Sequence, residues 1–319
     1  MDKDIERIYI EGTILELRPE NGSDAKPDGD TISCKIIRFF EPPTLSCVME
    51  VELLNQPDNK RAVLKVFDRQ FASQLRSDYK VGPSTVAKET AFFECINKSG
   101  DASKFVDRLR NDEDFEEPEE GWDMGQNEAY LYDLCLDMYE AESTVYQRLE
   151  HLQGKEIPQL LARVTLQATA ALDTVLDDAT KFFEVKGVLI ELIDGYTLSN
   201  LPTKAPKESW GDICNEAVRV IRLLDDYSIL NEDVRPSNIM ITRQPAQDNY
   251  RVVMLDFAHC TFREPEETDK WGRKNRNQDE EGAIGLVMRH RLKKLDYDFP
   301  FEHSNHFFGV GRDRVSIKE

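Results

Sequence analysis

Between residues 31 and 67 apolar and polar positions alternate with a period of two. The pattern runs through Ile32-Ser33-Cys34-Lys35-Ile36-Ile37-Arg38-Phe39-Phe40, then residues 45–54, then Ala62-Val63-Leu64-Lys65-Val66-Phe67, broken at Glu41-Pro42-Pro43 and Gln56-Pro57-Asp58-Asn59. This predicts antiparallel strands in succession. Alternation puts Lys65 on one face with Val63 and Phe67, and Ala62, Leu64 and Val66 on the other. Before this block, residues 1–30 offer one short apolar stretch, Ile8-Tyr9-Ile10, followed by a segment rich in Gly, Asp and Pro; they read as an N-terminal arm.

A helical period follows. Helices are expected near residues 85–98, with Ser84 as N-cap, and near 102–110. Residues 111–120 then carry acids so densely that a solvated loop is the simplest reading. From 127 to 153, Leu131, Leu134, Cys135, Met138, Val145, Leu149 and Leu152 recur at the three-and-four spacing of one long helix. Glu142 falls inside that stripe. A buried carboxylate is costly unless paired, and Lys65 is its natural partner if the helix packs on the first sheet. The alternatives are an edge lysine that discourages strand pairing and a wet gap in the stripe.

Two more strands are expected at 161–166 and 187–193, the second ended by Asp194-Gly195. A helix at about 209–227 presents Ile213, Ala217, Val220, Ile221 and Leu224 on one face. Apolar stretches at 239–241 and 252–255 predict a hairpin. Residues 261–277 show no period, and 280–295 read as a helix with Ile284, Met288 and Leu292 on one side, before an aromatic tail that includes Phe299, Phe301, Phe307 and Phe308.

Composition narrows the partners. Of 319 residues, 41 are Lys or Arg and 61 are Asp or Glu, a formal charge of −20 that repels polyanions, so nucleic acid is not expected as a partner. No stretch approaches the ~20 apolar residues of a membrane span, and Met1-Asp2-Lys3-Asp4-Ile5-Glu6-Arg7 lacks a signal-peptide core, which leads us to expect an intracellular, cytoplasmic protein without excluding the nucleus. Six cysteines without a C-x-x-C pair fit free thiols better than disulfides or zinc.

The chemistry concentrates in 230–257. Asn231-Glu232-Asp233-Val234-Arg235-Pro236-Ser237-Asn238 is followed by the hairpin, whose second strand ends in Leu255-Asp256-Phe257. An Asp, an Asn five residues on and a second Asp after the hairpin would bring proton- and metal-handling groups to one sheet edge. This order of parts resembles the protein-kinase-like superfamily and looks closest to uncharacterised fungal protein-kinase-like sequences; the compact loop is also similar to aminoglycoside and choline kinases.

The resemblance implies an α+β, bilobal protein-kinase-like fold. It would have an arm at 1–30, an N-lobe at 31–193 with a five-stranded antiparallel sheet, a long helix and an acidic insertion at about 68–126, and a shortened, mostly helical C-lobe at 194–319. It also implies an Mg-ATP-dependent phosphotransferase acting on a hydroxyl of a protein or small molecule. Asp233 is then the base, Asn238 and Asp256 hold Mg²⁺, Lys65 braced by Glu142 holds ATP phosphates, Arg235 neutralises the transferring phosphate, and the backbone of Glu191, Leu192 and Ile193 reads the adenine edge.

The departures are as informative. Asn231-Glu232-Asp233 replaces His-Arg-Asp, Ala258 replaces the glycine after Asp256-Phe257, and neither a Gly-rich loop nor A-P-E is present. They motivate an alternative, a weak or inactive pseudokinase serving as an interaction module, with the acidic insertion docking a basic protein.

Overall fold

The computed structural model of the protein describes residues 3–20, 31–54, 60–97, 101–167, 181–244, 249–264 and 268–304. The expected turn at 56–59 and the aromatic positions Phe307 and Phe308 lie outside these. The chain divides into two compact units, one comprising 1–140 with 160–192, the other 141–159 with 193–319.

The first unit is built on β1 (Ile14–Pro19), β2 (Ile32–Phe39), β3 (Cys47–Leu53) and β4 (Arg61–Phe67), then α1 (Ser73–Asp78), α2 (Val86–Asn97), α3 (Asp101–Asn111), the beginning of α4 (Met124–Arg148), β5 (Leu160–Gln167) and β6 (Glu184–Glu191). Its strands close into an antiparallel barrel in the order β1-β2-β3-β4-β6-β5. The expected open five-stranded sheet of a kinase N-lobe is therefore wrong, and β1 is the reason. Read from the sequence as part of an arm, β1 pairs with β2 (Leu17 opposite Ile32) and with β5 (Arg18 opposite Thr165), sealing the only two edges an open sheet would leave.

Period-two patterning fills the barrel. Leu17, Cys34, Ile36, Cys47, Met49, Val51, Ala62, Leu64, Val66, Ala162 and Val164 are fully buried inside it. The β3 register places Val48 opposite Lys65, and β6 places Val188 there from the other side. At Gly187 a Cβ would sit 2.7 Å from the Lys65 carbonyl oxygen, so the close β4–β6 approach at that point requires glycine. Ile8-Tyr9-Ile10 is not a strand. Tyr9 instead buries its ring against Phe71 and donates its hydroxyl hydrogen bond to Asp68 Oδ2 at 2.6 Å.

The segment after β4 is more deeply built in than an insertion would be. Arg69 and Arg76 both bind Glu128, which is wholly buried on α4, and Arg69 Nη2 also pairs with Glu89 at 2.6 Å. Carboxylates on both sides raise the Arg69 pKa further despite its burial. Thr85, rather than Ser84, offers the side-chain oxygen at the start of α2, accepting from the Lys88 N–H at 3.4 Å. The acidic stretch at 112–120 is loop and turn and almost entirely exposed, as its charge density predicts.

The second unit contains the end of α4, β7 (Tyr196–Thr197), α5 (Leu201–Lys204), α6 (Trp210–Asp226), β8 (Ile229–Asn231), β9 (Ile239–Gln244), β10 (Asn249–Met254), β11 (Cys260–Phe262), α7 (Thr268–Gln278) and α8 (Glu280–Lys293). The apolar face of α6 (Ile213, Ala217, Val220, Ile221, Leu224) is buried as its spacing predicts. The β9–β10 hairpin forms with Ile239 opposite Met254 and joins β7 in one small sheet; β8 pairs with β11 in another. Gly195 passes so close to β9 that a Cβ would meet the Ile241 carbonyl oxygen at 2.2 Å. The helix α7 falls where the sequence showed no period. It has no apolar stripe because its inner face is anchored partly by hydrogen bonding, Asn275 Nδ2 donating to Asp225 Oδ1 at 2.6 Å beside the buried Trp271.

The six cysteines are free thiols. Burial pushes those of Cys34 and Cys214 up to about 12, far from the thiolate a nucleophile or metal ligand needs. Among the described residues, no helix is long and apolar enough to cross a membrane.

Candidate functional site

The stretch after β8 turns sharply because Asn231 organises it. Asn231 is fully buried, and its Oδ1 accepts from the Asp233 N–H at 2.9 Å, the side-chain-to-second-residue geometry of an Asx turn. Its Nδ2 donates to the Asp256 carbonyl oxygen at 2.9 Å. One side chain thus ties the segment carrying Asp233 to the one carrying Asp256.

Within the turn, Asn238 Nδ2 donates to the Asp233 carbonyl oxygen at 3.1 Å and to its Oδ2 at 3.0 Å, while Arg235 Nη2 lies 2.9 Å from the same Oδ2. Arg235 Nε donates to Asn238 Oδ1 at 3.3 Å. The hairpin is fastened to this loop through the Leu255 N–H, which donates to the Asn238 carbonyl oxygen at 2.8 Å. Asp256 follows with φ +67°, a left-handed backbone that Asp tolerates better than most residues. Its carbonyl bond to Asn231 helps hold that conformation. Phe257 is buried against Tyr146, and Ala258 is buried as well.

A second polar layer lies beneath. Glu280, the first residue of α8, is 1 % exposed and accepts the Asn231 N–H on Oε1 at 2.8 Å; its Oε2 is buried without a hydrogen-bond partner among the described residues. Burial, reinforced by the negative charges of Asp225 and Glu232 and opposed by the Asn231 N–H, pushes its pKa up to about 8. The next residue, Glu281, is just as buried yet its pKa is lowered, because Arg222 pairs with it at 2.9 Å and Ser304 hydrogen-bonds it. Glu232 is fixed from α7: Gln278 Nε2 donates to its carbonyl oxygen at 2.8 Å, and Lys274 Nζ lies 2.9 Å from its Oε1.

The structure therefore brings together Asp233, Arg235 and Asn238, and links Asp256 to them through Asn231. Lys65 lies on β4 in the first unit, its ammonium 5.3 Å from the Phe67 ring centroid. It is on the outer surface of the barrel yet only 5 % exposed. Glu142 is on α4 at 1 % exposure, within the part of that helix assigned to the second unit. Glu191 ends β6, Leu192 follows it, and Ile193, buried, begins the second unit's long segment. A groove of about 530 Å³ in the first unit is lined by Lys104, Arg110, Tyr132 and Phe182 and by none of these residues.

Asn231 and Glu280 are the residues that sequence reasoning missed. Asn231 looked like a lost regulatory position, although an Asn two residues before an Asp is a legible Asx-turn signal. Glu280 enters the sequence reading only as the first residue of the helix expected at 280–295, and one acid at a helix start gives no signal of burial.

Among the described residues no group of three or more His, Cys, Asp and Glu side chains is arranged to hold a metal ion. The oxygen donors that the sequence nominates are one carboxylate, that of Asp256, and one amide oxygen, Asn238 Oδ1. Hard oxygen donors of this number suit Mg²⁺, which keeps several waters and binds through one or two protein oxygens plus substrate phosphates. Asn238 Oδ1 accepts two long contacts, from Arg235 Nε at 3.3 Å and Ser237 Oγ at 3.5 Å, which a metal ion there would displace. Compared with protein-family models and with curated proteins, the sequence matches none.

Proposed function

We propose that the second unit carries a phosphotransfer site that moves the γ-phosphate of Mg-ATP to a hydroxyl acceptor. The observation that carries this reading is the hydrogen-bonded set Asp233, Arg235 and Asn238, joined through Asn231 to the backbone of Asp256. Phosphoryl transfer asks a protein chiefly for positioning and charge neutralisation. Asp233, with 30 % of its side chain exposed, can accept the acceptor's proton. Arg235 can turn from Asp233 toward a phosphate and donate to it in bidentate fashion. Asn238 and Asp256 would hold Mg²⁺, which neutralises charge on the phosphates. The resemblance of this loop to those of the protein-kinase-like phosphotransferases supports the same reading.

The reading rests on residues of the second unit. Mg-ATP at saturation is expected to raise the melting temperature, and Asp256→Ala to abolish the metal-dependent part of that rise. A melting curve unmoved by Mg-ATP would sink the proposal. One observation favours the inactive alternative: Asp233 Oδ2 is engaged by both Arg235 and Asn238, which leaves less of the base for an acceptor. ATP turnover that is lost in Asp233→Asn would dispose of that alternative.

A further inference from the structure

The helix α7 is out of keeping with the rest of the chain. In a protein of charge −20, it places Lys270, Arg273, Lys274 and Arg276 within seven residues, against the single acid Asp269. Its inner side is committed to the fold by the buried Trp271 and Asn275, so all four cations are exposed. Lys274 is engaged, with Glu232 Oε1 at 2.9 Å and Thr261 Oγ1 at 3.0 Å. Arg273 and Arg276 have no carboxylate partner among the described residues.

Such a helix works against itself. Arg273 and Arg276 are three apart, a spacing at which like charges on a helix repel. An anion bound across these side chains is attracted and also relieves that repulsion. The helix is joined to the Asp233 loop: Gln278 Nε2 holds the carbonyl of Glu232, the residue before Asp233, at 2.8 Å. From Arg273 to Gln278 is about 7–8 Å along the helix axis, on the order of two or three residues of extended peptide.

We propose that α7 is the docking surface for the acceptor, and that the acceptor is a peptide segment whose hydroxyl residue is flanked at a few positions by acidic or phosphorylated side chains. This rests on the phosphotransfer reading and names its substrate class. Arg273 and Arg276 bind the flanking anions while the hydroxyl is presented to Asp233. A short segment meets the local positive field, which is screened within about 8–10 Å; a long polyanion also meets the negative charge of the remaining surface.

The test uses the full chain, Mg-ATP and serine decapeptides with aspartate, phosphoserine, neutral or lysine flanks. Phosphorylation of the aspartate or phosphoserine peptide is expected to exceed that of the neutral one by about tenfold in kcat/KM and to weaken with salt; the two anionic arms tell carboxylate from phosphate recognition. Arg273→Glu with Arg276→Glu should erase the preference and leave the Mg-ATP melting shift unchanged, with the milder Arg273→Gln and Arg276→Gln pair as a second variant should the first fold poorly. Equal use of all peptides, or a preference that survives in both variants, overturns the proposal. If no peptide is phosphorylated, anisotropy of the fluorescein-labelled aspartate peptide decides. Salt-sensitive binding lost in the variants upholds the surface while the phosphotransfer reading fails. No binding, or displacement as efficient by a single-stranded oligonucleotide, overturns it.

Discussion

The barrel and the loop around Asp233 are both held rigid, by different means. In the barrel, many interchangeable apolar side chains each contribute a share; Met49, Val51, Leu64, Val66 and Val164 all point into one filled interior. Burial of this kind is roughly proportional to area, so no single position decides the fold. Around Asp233 a few polar groups have singular partners. Asn231 is the side chain that bonds both the Asp233 and the Asp256 segment, and Glu280 receives the Asn231 N–H from below. Spread-out, nondirectional stability tolerates substitution, whereas a hydrogen-bonded hub concentrates both geometry and vulnerability.

The largest expected effect tests whether the first unit has a hub of its own. Glu128→Ala would leave the buried Arg76 without its carboxylate and Arg69 with Glu89 alone, and urea denaturation should show a loss of about 3–5 kcal/mol. A loss below 1 kcal/mol would mean that the buried network is dispensable and that the barrel alone stabilises that unit.

Glu280 comes next, and its effect depends on pH. In the folded protein its pKa is about 8 against an ordinary 4.5, so between those values the folded state binds the proton and the unfolded state does not. Its contribution to stability therefore falls as pH rises from 4.5 to 8 and is flat above. Glu280→Gln keeps the shape of the protonated acid without the titration. Urea titrations should show the variant gaining on the parent across that window and keeping a constant advantage above it. A gap that does not change with pH would mean that Glu280 is not protonated in the fold.

The smallest stability effect falls on the most pointed functional contrast. Asn231→Ala should cost about 2 kcal/mol, since it deprives the Asp233 N–H and the Asp256 carbonyl oxygen of their side-chain partner. On the proposed phosphotransfer reading it should nevertheless remove most Mg-ATP-dependent turnover, because the side-chain link between the Asp233 and Asp256 segments is lost. Cys34→Ala in the barrel is expected to do the reverse, lowering stability without altering the Mg-ATP melting shift.

Some of this was legible from residue order. The alternation in β2, β3 and β4, the α6 stripe, the β9–β10 hairpin and the burial of Lys65 and Glu142 follow from periodicity, because one-dimensional spacing maps directly onto strand and helix faces. That Asp233 and Asn238 come to one place was also legible, since five residues suffice to close a loop; that they bond each other was not. What failed did so for physical reasons. β1 is short, with Ile14 exposed, so its alternation is weak; its role is supplied by β2 and β5, which come later in the chain. In α7 a polar inner face replaces the stripe that periodicity looks for.

The sequence by itself determined which side chains of the long strands and helices face inward, where most of those elements run, and that acids, amides and a cation fall together at 231–238. Only the tertiary structure decided that the sheet closes into a barrel, that Asn231 is a hub rather than a gap, and that Glu280 and Glu281, adjacent and equally buried, titrate in opposite directions. Periodicity is local and survives in one dimension. Closure, hydrogen-bond partnership and buried charge depend on residues that only folding brings together.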